Sequence, residues 1–159
     1  MELTTLDAID LQLLDLLQRD AAQSNQALAQ QVHVSAPTCL RRIKRLHTDG
    51  LIERQVALLQ PDRLAALQGH GLSAIVEVTL DRQGAEWLDG FEARAVAEDC
   101  VQQCWRVSPG PDFMLVVWAP GMPTFQALTQ RLFTQDANVR NVKSFFALKR
   151  AKFDQRVPV

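Results

Sequence analysis

The stretch SAPTCLRRIKRLHTDGLI, residues Ser35–Ile52, predicts a short amphipathic helix with one cationic side. Ser35 is a favourable N-cap, Pro37 suits the first turn, and Gly50 is placed to end the helix. An apolar stripe recurs at helical spacing: Leu40, Ile43 and Leu46. The other side carries four cations: Arg41, Arg42, Lys44 and Arg45. A lone basic run is also typical of a solvated surface helix, so the surrounding sequence has to decide between these interpretations.

Two further helical patterns precede the basic helix. The first covers residues 6–17, with Asp7 and Asp10 near its N-terminus, where the helix dipole favours negative charge. Its inward stripe consists of Ile9, Leu13, Leu16 and Leu17. Asn25 offers an N-cap for a second helix over residues 26–31. Because only a short turn then leads into the basic helix, the order predicts a helix-turn-helix unit that places its last helix in the major groove of DNA.

The run that follows the basic helix has the character of a strand. Residues 51–59 are rich in Leu, Ile and Val, and we expect them to form a wing or a connecting strand.

Composition and charge limit the kind of protein that this can be. The chain has 159 residues, 47% of them hydrophobic and 22% charged, which fits two small globular domains. A formal net charge of −1 argues against indiscriminate coating of nucleic acid, so any DNA contact must come from a local patch. Four of the six cations in residues 1–60 fall within residues 41–45. The positive charge is therefore concentrated in the basic helix.

Targeting segments and metal sites are not predicted. No basic region followed by an apolar core opens the chain, so a secretory signal is not expected and the protein should be cytoplasmic. Residues 113–130 lack charge, but Pro120, Gly121 and Pro123 interrupt them, which argues against a membrane span. Three cysteines, Cys39, Cys100 and Cys104, lack a zinc-like spacing, so we expect buried thiols and no metal or other cofactor.

The second half of the chain changes to a mixed pattern of strands and helices. The predicted order is strand 72–80, helix 84–96, strand 101–107, strand 113–118, helix 123–133 and strand 142–148. This βαββαβ order is that of ferredoxin-like domains. Since both helices would cover one face of the sheet, the other face should be apolar and buried against a partner.

The combination resembles the Lrp/AsnC, or feast/famine, family of prokaryotic transcription regulators, over nearly the whole chain. The residues that carry the resemblance are Leu6-Asp7, Asp10, Cys39-Leu40-Arg41-Arg42-Ile43, Leu46, Gly50, Leu59-Gln60-Pro61, Cys104, Val107-Ser108, Asp112-Phe113 and Lys152. The resemblance implies an α+β chain with a winged helix-turn-helix domain in residues 1–60, a linker in 61–71 and a ferredoxin-like, RAM-type domain in 72–159. It also implies a homodimer built through the C-terminal sheets that assembles to a tetramer or octamer, with an amino acid or related metabolite bound between C-terminal domains.

The same resemblance indicates which residues contact double-stranded DNA. It places Ser35, Pro37, Thr38, Arg41 and Arg42 at or near the DNA. We further expect Lys44 and Arg45 to support the helix on phosphate, and Arg54 is an additional candidate contact. Ser35 and Thr38 are placed for base edges or for positioning on the backbone, whereas Arg42 and Arg45 could act mainly as phosphate clamps. Arginine can fork onto guanine or pair with phosphate, so both roles remain open for Arg41 and Arg42.

Candidate effector contacts lie in two turns of the C-terminal domain. They are Ser108, Pro109, Gly110, Pro111, Asp112, Gly121 and Met122. Two departures from the family pattern stand out: Pro109 occupies a place where the family usually has Gly, and residues 119–122 lack the acidic residue that can pair with an amino-acid ammonium. A plain hairpin connection is the alternative for the first turn.

Two other functions compete with an effector-responsive regulator. An enzyme on the ferredoxin-like domain is not favoured, because His33, His47 and His70 form no recognisable triad or metal set and nucleotide-binding motifs are absent from the sequence. A ligand-independent, architectural DNA-binding protein is the other alternative, since the same fold and oligomer could wrap DNA.

Overall fold

A computed structural model describes residues 5–69 and 71–159, which divide into two compact units. The helical unit comprises the described residues up to Leu58 and the C-terminal tail, Lys152–Val159. The sheet unit spans Leu59 to Ala151. The tail, which the resemblance assigns to the C-terminal domain, thus packs within the helical unit. His70, one of the three histidines considered above, lies outside the described residues.

The helical unit confirms the three predicted helices. They are α1 (Ala8–Arg19), α2 (Asn25–Gln31) and α3 (Ala36–Thr48). Ser35 caps α3 as expected, and Gly50, at a φ of 74°, follows its end. The expected cap of α2 is wrong, because the Ser24 side chain accepts the hydrogen bond from Ala27 N, at 3.2 Å. Asn25 is instead the first helical residue, and its Nδ2 donates to the carbonyl of Ala36 at 2.8 Å.

A small apolar core joins these helices. Its buried residues are Leu13, Leu14, Leu28, Ala29, Val32, Cys39 and Leu46. Cys39 is fully buried, whereas Leu40, which was expected in the apolar stripe, is 44% exposed. Successive helical residues turn by roughly 100°, so Cys39, Ile43 and Leu46 share the inward side and Leu40 lies beside it. Ile43 and Leu46 are thus confirmed in the apolar stripe, whereas Cys39 takes the inward position that was expected for Leu40.

The strand expected after α3 is not formed. Residues 53–60 have no regular secondary structure and are exposed, and no strand among the described residues pairs with them. A strand needs a neighbour for its backbone N–H and C=O groups, and this segment has none in residues 5–69 and 71–159, so the expected wing is not formed there. A helix that the sequence did not suggest, α4 (Pro61–Gln68), follows, with Pro61 in its first turn.

The sheet unit has the predicted βαββαβ order. Its elements are β1 (Leu72–Leu80), α5 (Ala85–Val96), β2 (Val101–Arg106), β3 (Phe113–Ala119), α6 (Met122–Thr129), a π-helical turn (Gln130–Thr134) and β4 (Val139–Phe146). The strands pair antiparallel in the order β2-β3-β1-β4. β4 begins three residues earlier than expected, and the second helix ends in the π-helical turn before Gln135.

Alternation along the strands divides the sheet into two different faces. Inward positions of β1 and β3 pack with α5 and α6 in a core that includes Val76, Phe91 and Leu115. On the opposite face, Ile75 lies across from Val116 on β3 and from Phe145 on β4. Large apolar side chains stay exposed on this free face: Ile75, Trp105, Trp118 and Phe145. None of the helices in the described part of the chain has the length and apolarity needed to cross a lipid bilayer.

Candidate nucleic-acid interface and effector groove

The outward side of α3 gathers most of the predicted DNA-contacting residues. Successive residues of an α-helix are rotated by roughly 100°, which directs this side of α3 away from the buried Cys39 and Leu46. The side consists of Pro37, Thr38, Arg41, Lys44 and Arg45, with Ser35 at its N-terminal end. Arg41 and Lys44 are exposed and form no ion pair with any described residue. Both cations are therefore available to a phosphate or a base edge.

The N-terminus of α3 adds polar groups to this side. The hydroxyls of Ser35 and Thr38 are hydrogen-bonded at 2.9 Å, and Thr38 N donates to Ser35 Oγ at 3.4 Å. Pro37 lies in the first turn, so its missing N–H costs no helical hydrogen bond. Backbone N–H groups at a helix N-terminus and the positive end of the helix dipole favour an anion, which suits a DNA phosphate.

A second group of charges connects α3 to the start of α1. Asp10 is almost fully buried, at 1% exposure, and accepts hydrogen bonds from Arg42 Nη1 at 2.8 Å and Arg45 Nη2 at 2.5 Å. Arg42 Nη1 also donates to Asp7 Oδ2 at 2.8 Å. We call Asp7, Asp10, Arg42 and Arg45 the arginine clasp. It holds two helices together through a buried carboxylate that has charged partners, as a buried charge requires.

The contacts in the clasp shift the pKa values of Asp7 and Arg42. The pKa of the Asp7 carboxyl lies below its ordinary value, because the backbone N–H of Asp10 and the Arg42 guanidinium both stabilise the anion. The pKa of Arg42 is raised, first by Asp10 and then by Asp7. Arg42 Nε is buried and has no hydrogen-bond partner among the described residues. The guanidinium of Arg42 is thus already bonded to two carboxylates of the clasp, so the structure supports a role for Arg42 in holding α3 against α1.

The remaining predicted DNA contacts are placed differently. Arg45 belongs to the clasp but keeps 42% of its side chain exposed, so it can reach outward as well. Arg54 lies beyond α3 in the exposed segment, with its Nε 3.7 Å from Glu53 Oε1. Arg41, Arg42 and Arg45 also line a small cavity of about 150 Å³ beside the clasp.

An open groove in the sheet unit collects part of the predicted effector site. Its volume is about 420 Å³, and it is lined by Gln83, Leu88, Arg106, Val107, Ser108 and Asp112. Pro109 and Gly110 form the exposed tip of the loop, with Gly110 at a φ of 124°, a conformation that favours glycine. Gly121 and Met122 are not among the lining residues, since they begin α6.

Asp112 anchors this loop to β1. Its Oδ2 accepts a hydrogen bond from Leu80 N at 2.7 Å, and its own N–H donates to Val78 O at 2.9 Å. Its carbonyl accepts from Val107 N at 3.0 Å, which closes the loop. The groove therefore contains a carboxylate whose position is fixed by hydrogen bonds of Asp112 to the backbone of β1 and of Val107.

Sequence reasoning missed the residues that complete the groove. Arg106, at the end of β2, donates to Asp89 and Glu92 of α5, at 2.7 Å each, and these bonds raise its pKa. Gln83 precedes the cap of α5, and Leu88 is on that helix. The signal in the sequence was Arg106 alone, a charge two residues before the predicted loop. Its partners lie on another element, so their proximity required the fold.

The thiols and possible metal ligands form no further site. All three cysteines are free; Cys39 is buried, and Cys100 and Cys104 are half-buried. Burial raises the pKa of the Cys39 and Cys104 thiols, which disfavours the reactive thiolate. In residues 5–69 and 71–159, no group of three or more His, Cys, Asp or Glu is arranged to hold a metal ion.

Comparison with known proteins finds matches in both units. Residues 6–47 match the AsnC-type helix-turn-helix domain, and residues 73–157 match the Lrp/AsnC ligand binding domain. The chain is 35% identical to a leucine-responsive regulatory protein of Rhizobium meliloti, over 92% of each chain. It is 32% identical to the DNA-binding transcriptional activator DecR of Escherichia coli, over 97% of this chain and 99% of that one. Among solved structures, a transcriptional regulator of Neisseria meningitidis in complex with L-Met superposes with a TM-score of 0.83 at 27% identity, over 97% of both chains.

Proposed function

The chain belongs to the Lrp/AsnC family of transcription regulators, and on that premise we propose that the outward side of α3 reads DNA and that the groove beside Asp112 binds an amino-acid effector. Its relatives are named as regulatory proteins or transcriptional regulators, one of them as a DNA-binding activator, and not as enzymes. The observation that carries the DNA assignment is the exposure of Arg41 and Lys44 beside the Ser35 cap, without ion pairs in the described part of the chain.

The proposed DNA contacts differ in whether the side chain is already ion-paired with a carboxylate of the chain. Arg41 can fork onto guanine O6 and N7, because none of the described carboxylates pairs with its guanidinium. Lys44 and Arg45 would contact phosphates, and Ser35, Pro37 and Thr38 would position the helix end on the backbone. Arg42 would support the interface from within the arginine clasp, and Arg54 would add a phosphate contact from the exposed segment.

In vitro selection from random duplexes, followed by fluorescence anisotropy at several salt concentrations, tests the DNA assignment. We expect an enriched pseudo-palindromic sequence, with half-sites about one helical turn apart. Arg41→Ala should lose most of the preference for that sequence, whereas Arg19→Ala, on the exposed side of α1, should bind like wild type. Selection that enriches no sequence would overturn the assignment.

A homodimer through the free face of the sheet follows from its exposed apolar side chains. Ile75 and Trp118 are 45% and 38% exposed on a face that the helices of the unit leave uncovered. Contiguous apolar surface of this kind marks an interface, and a second copy would bury the same residues on both sides of a twofold axis. Two such dimers would form a tetramer, and four would form an octamer.

Sedimentation equilibrium tests the assembly. Ile75→Glu should shift the chain to the monomer, because a carboxylate would be buried unpaired in the dimer. Val96→Glu is the matched control, since Val96 is equally apolar and 66% exposed but lies at the end of α5. Equal masses for the two variants would contradict an interface on the free face.

The effector assignment rests on the charges in the groove. Residues 119–122 lack a carboxylate, but Asp112 supplies one from the opposite turn. Asp112 would pair with the ammonium group of an amino-acid ligand. Arg106, Gln83 and Ser108 would donate hydrogen bonds to the carboxylate of the same ligand. Binding of L-Met by the Neisseria regulator supports this ligand class.

Isothermal titration with the twenty amino acids, led by L-Met, tests the effector site. Asp112→Asn keeps an oxygen that can accept from Leu80 N but removes the charge, so it should weaken the best ligand about tenfold or more. Asp99→Asn, on an exposed carboxylate outside the groove, should bind as wild type. Equal affinities for Asp112→Asn and Asp99→Asn would remove Asp112 from the site.

A further inference from the structure

The C-terminal tail makes a specific contact with α1. Gln18 Nε2 donates to Val157 O at 3.0 Å, and Val157 N donates to Gln18 Oε1 at 2.6 Å. One side-chain amide therefore satisfies both backbone groups of a residue 139 positions away along the chain. The Val157 side chain itself is 66% exposed, so the contact uses its backbone and not its apolar group.

The sequence around Val157 prepares its backbone for this contact. The N–H and C=O of one residue point to the same side only when the residue is extended, and the following Pro158 restricts Val157 to extended conformations. On the other side, Asp154 Oδ1 accepts from Arg156 N at 3.1 Å, and the Arg156 guanidinium closes back on Asp154 at 2.8 Å. Because both flanks are already ordered, docking costs little further conformational entropy.

We propose that the Gln18 face of α1 is the docking site of the chain's own C-terminal tail, and that the docked tail is a second tether between the helical and sheet units. The chain passes from one unit to the other near Leu58, and it leaves the sheet unit again at Ala151 to end in the helical unit. Without docking, only the exposed segment before α4 would join the units. With docking, two segments join them and restrain their independent motion.

Trypsin digestion of the full-length protein, followed by intact mass spectrometry, tests the docking. Cleavage between Arg156 and Val157 requires a released tail, because Gln18 holds the N–H of that peptide bond, so Gln18→Leu should accelerate it about tenfold by removing both hydrogen bonds. Gln12→Leu, on an exposed glutamine of the same helix, should cleave at the wild-type rate. A wild-type rate for Gln18→Leu would overturn docking.

Two further variants separate the backbone contact from general packing. Val157→Ala keeps both hydrogen bonds and should be cleaved at the wild-type rate, whereas Pro158→Gly frees the backbone and should accelerate cleavage severalfold without altering α1. Acceleration by Val157→Ala as large as that by Gln18→Leu would contradict recognition through the backbone.

Nitrogen-15 relaxation of wild type and of a chain that ends at Ala151 tests the tether. The rotational correlation times of the two units should agree in the wild type and diverge after truncation, with the shorter time for the helical unit. Unchanged agreement after truncation would overturn the tether even if docking holds.

The effect of the docked tail on DNA affinity rests on the proposed function. The truncated dimer should lose about tenfold in affinity for a duplex with two half-sites and nothing for a duplex with one, because restraint affects only simultaneous engagement. Equal losses on both duplexes would overturn the restraint, whereas a wild type that prefers no sequence would overturn the proposed function and leave docking standing.

Discussion

The two sides of α3 carry the same kind of residue in different surroundings. Arg42 is 20% exposed and bonded to Asp7 and Asp10, whereas Arg41, its neighbour in sequence, is exposed and forms no ion pair with the described residues. Arg42 is therefore held by carboxylates of α1, whereas Arg41 is available for the DNA contact that we propose. The basic run of α3 therefore contains both ion-paired and exposed cations, and the carboxylates of the opposing helix decide which cations are paired.

Removal of the buried carboxylate should have the largest effect. Asp10→Ala leaves Arg45 without its partner and Arg42 with Asp7 alone, so the helical unit should lose about 3 kcal/mol of stability, near the lower end for a broken buried ion pair. Far-UV circular dichroism during thermal unfolding measures this loss.

Two controls accompany that measurement. Asp15→Ala removes an exposed pair with Arg19 and a weaker charge interaction with Arg156, and it should cost less than about 1 kcal/mol. Tryptophan fluorescence follows the sheet unit separately, since Trp87, Trp105 and Trp118 all lie there. Equal destabilisation by the two aspartate variants would mean that the clasp does not hold the helices.

Substitution of the two neighbouring arginines separates the roles directly. Arg41→Ala should weaken binding to the selected DNA by about 1–3 kcal/mol, the worth of a bidentate base contact, without a change in melting temperature. Arg42→Ala should lower the melting temperature and weaken all DNA sequences alike through the loosened helix. If both variants melt as wild type and lose the same specificity, the distinction between the two sides fails.

The sequence predicted the local features of this region and missed the long-range ones. Ser35, Pro37 and Gly50 act within a few residues of their own positions, so the limits of α3 could be read in advance. The clasp joins residues 32 to 35 positions apart, and charge pattern alone does not pair Asp10 with Arg42 and Arg45. Cys39 and not Leu40 lies in the core for a related reason, since the position of the facing helices determines which side of α3 is buried.

The sheet unit shows the same limit on prediction. Alternating apolar residues located β1 at its observed limits, Leu72–Leu80, because alternation is a local property. The segment 51–59 has strand-like composition but lacks a pairing partner in one chain. The groove combines the predicted Ser108 and Asp112 with Arg106 and Gln83, which only the pairing of strands and the packing of α5 bring together.

A smaller effect should distinguish a phosphate contact from a base contact on the outward side. Lys44→Ala should reduce the slope of log affinity against log salt by about one unit and weaken different sequences equally. Lys143→Ala, on the sheet unit, should leave the slope unchanged. Anisotropy titrations at four salt concentrations measure both slopes, and a loss confined to one sequence would assign Lys44 to a base.

The weakest expected effect concerns pH and the exposed end of the clasp. Asp7 has a lowered pKa in the folded state, so its contribution is complete above its unfolded pKa of about 4 and is lost as the pH falls further. Asp7→Asn can still cap α1 through its amide oxygen but cannot titrate. Between pH 6 and pH 2, the melting temperature of the helical unit should therefore fall more steeply in wild type than in Asp7→Asn. Since every other carboxylate titrates in both proteins, the difference isolates Asp7, and parallel curves would show that its charge does not stabilise the clasp.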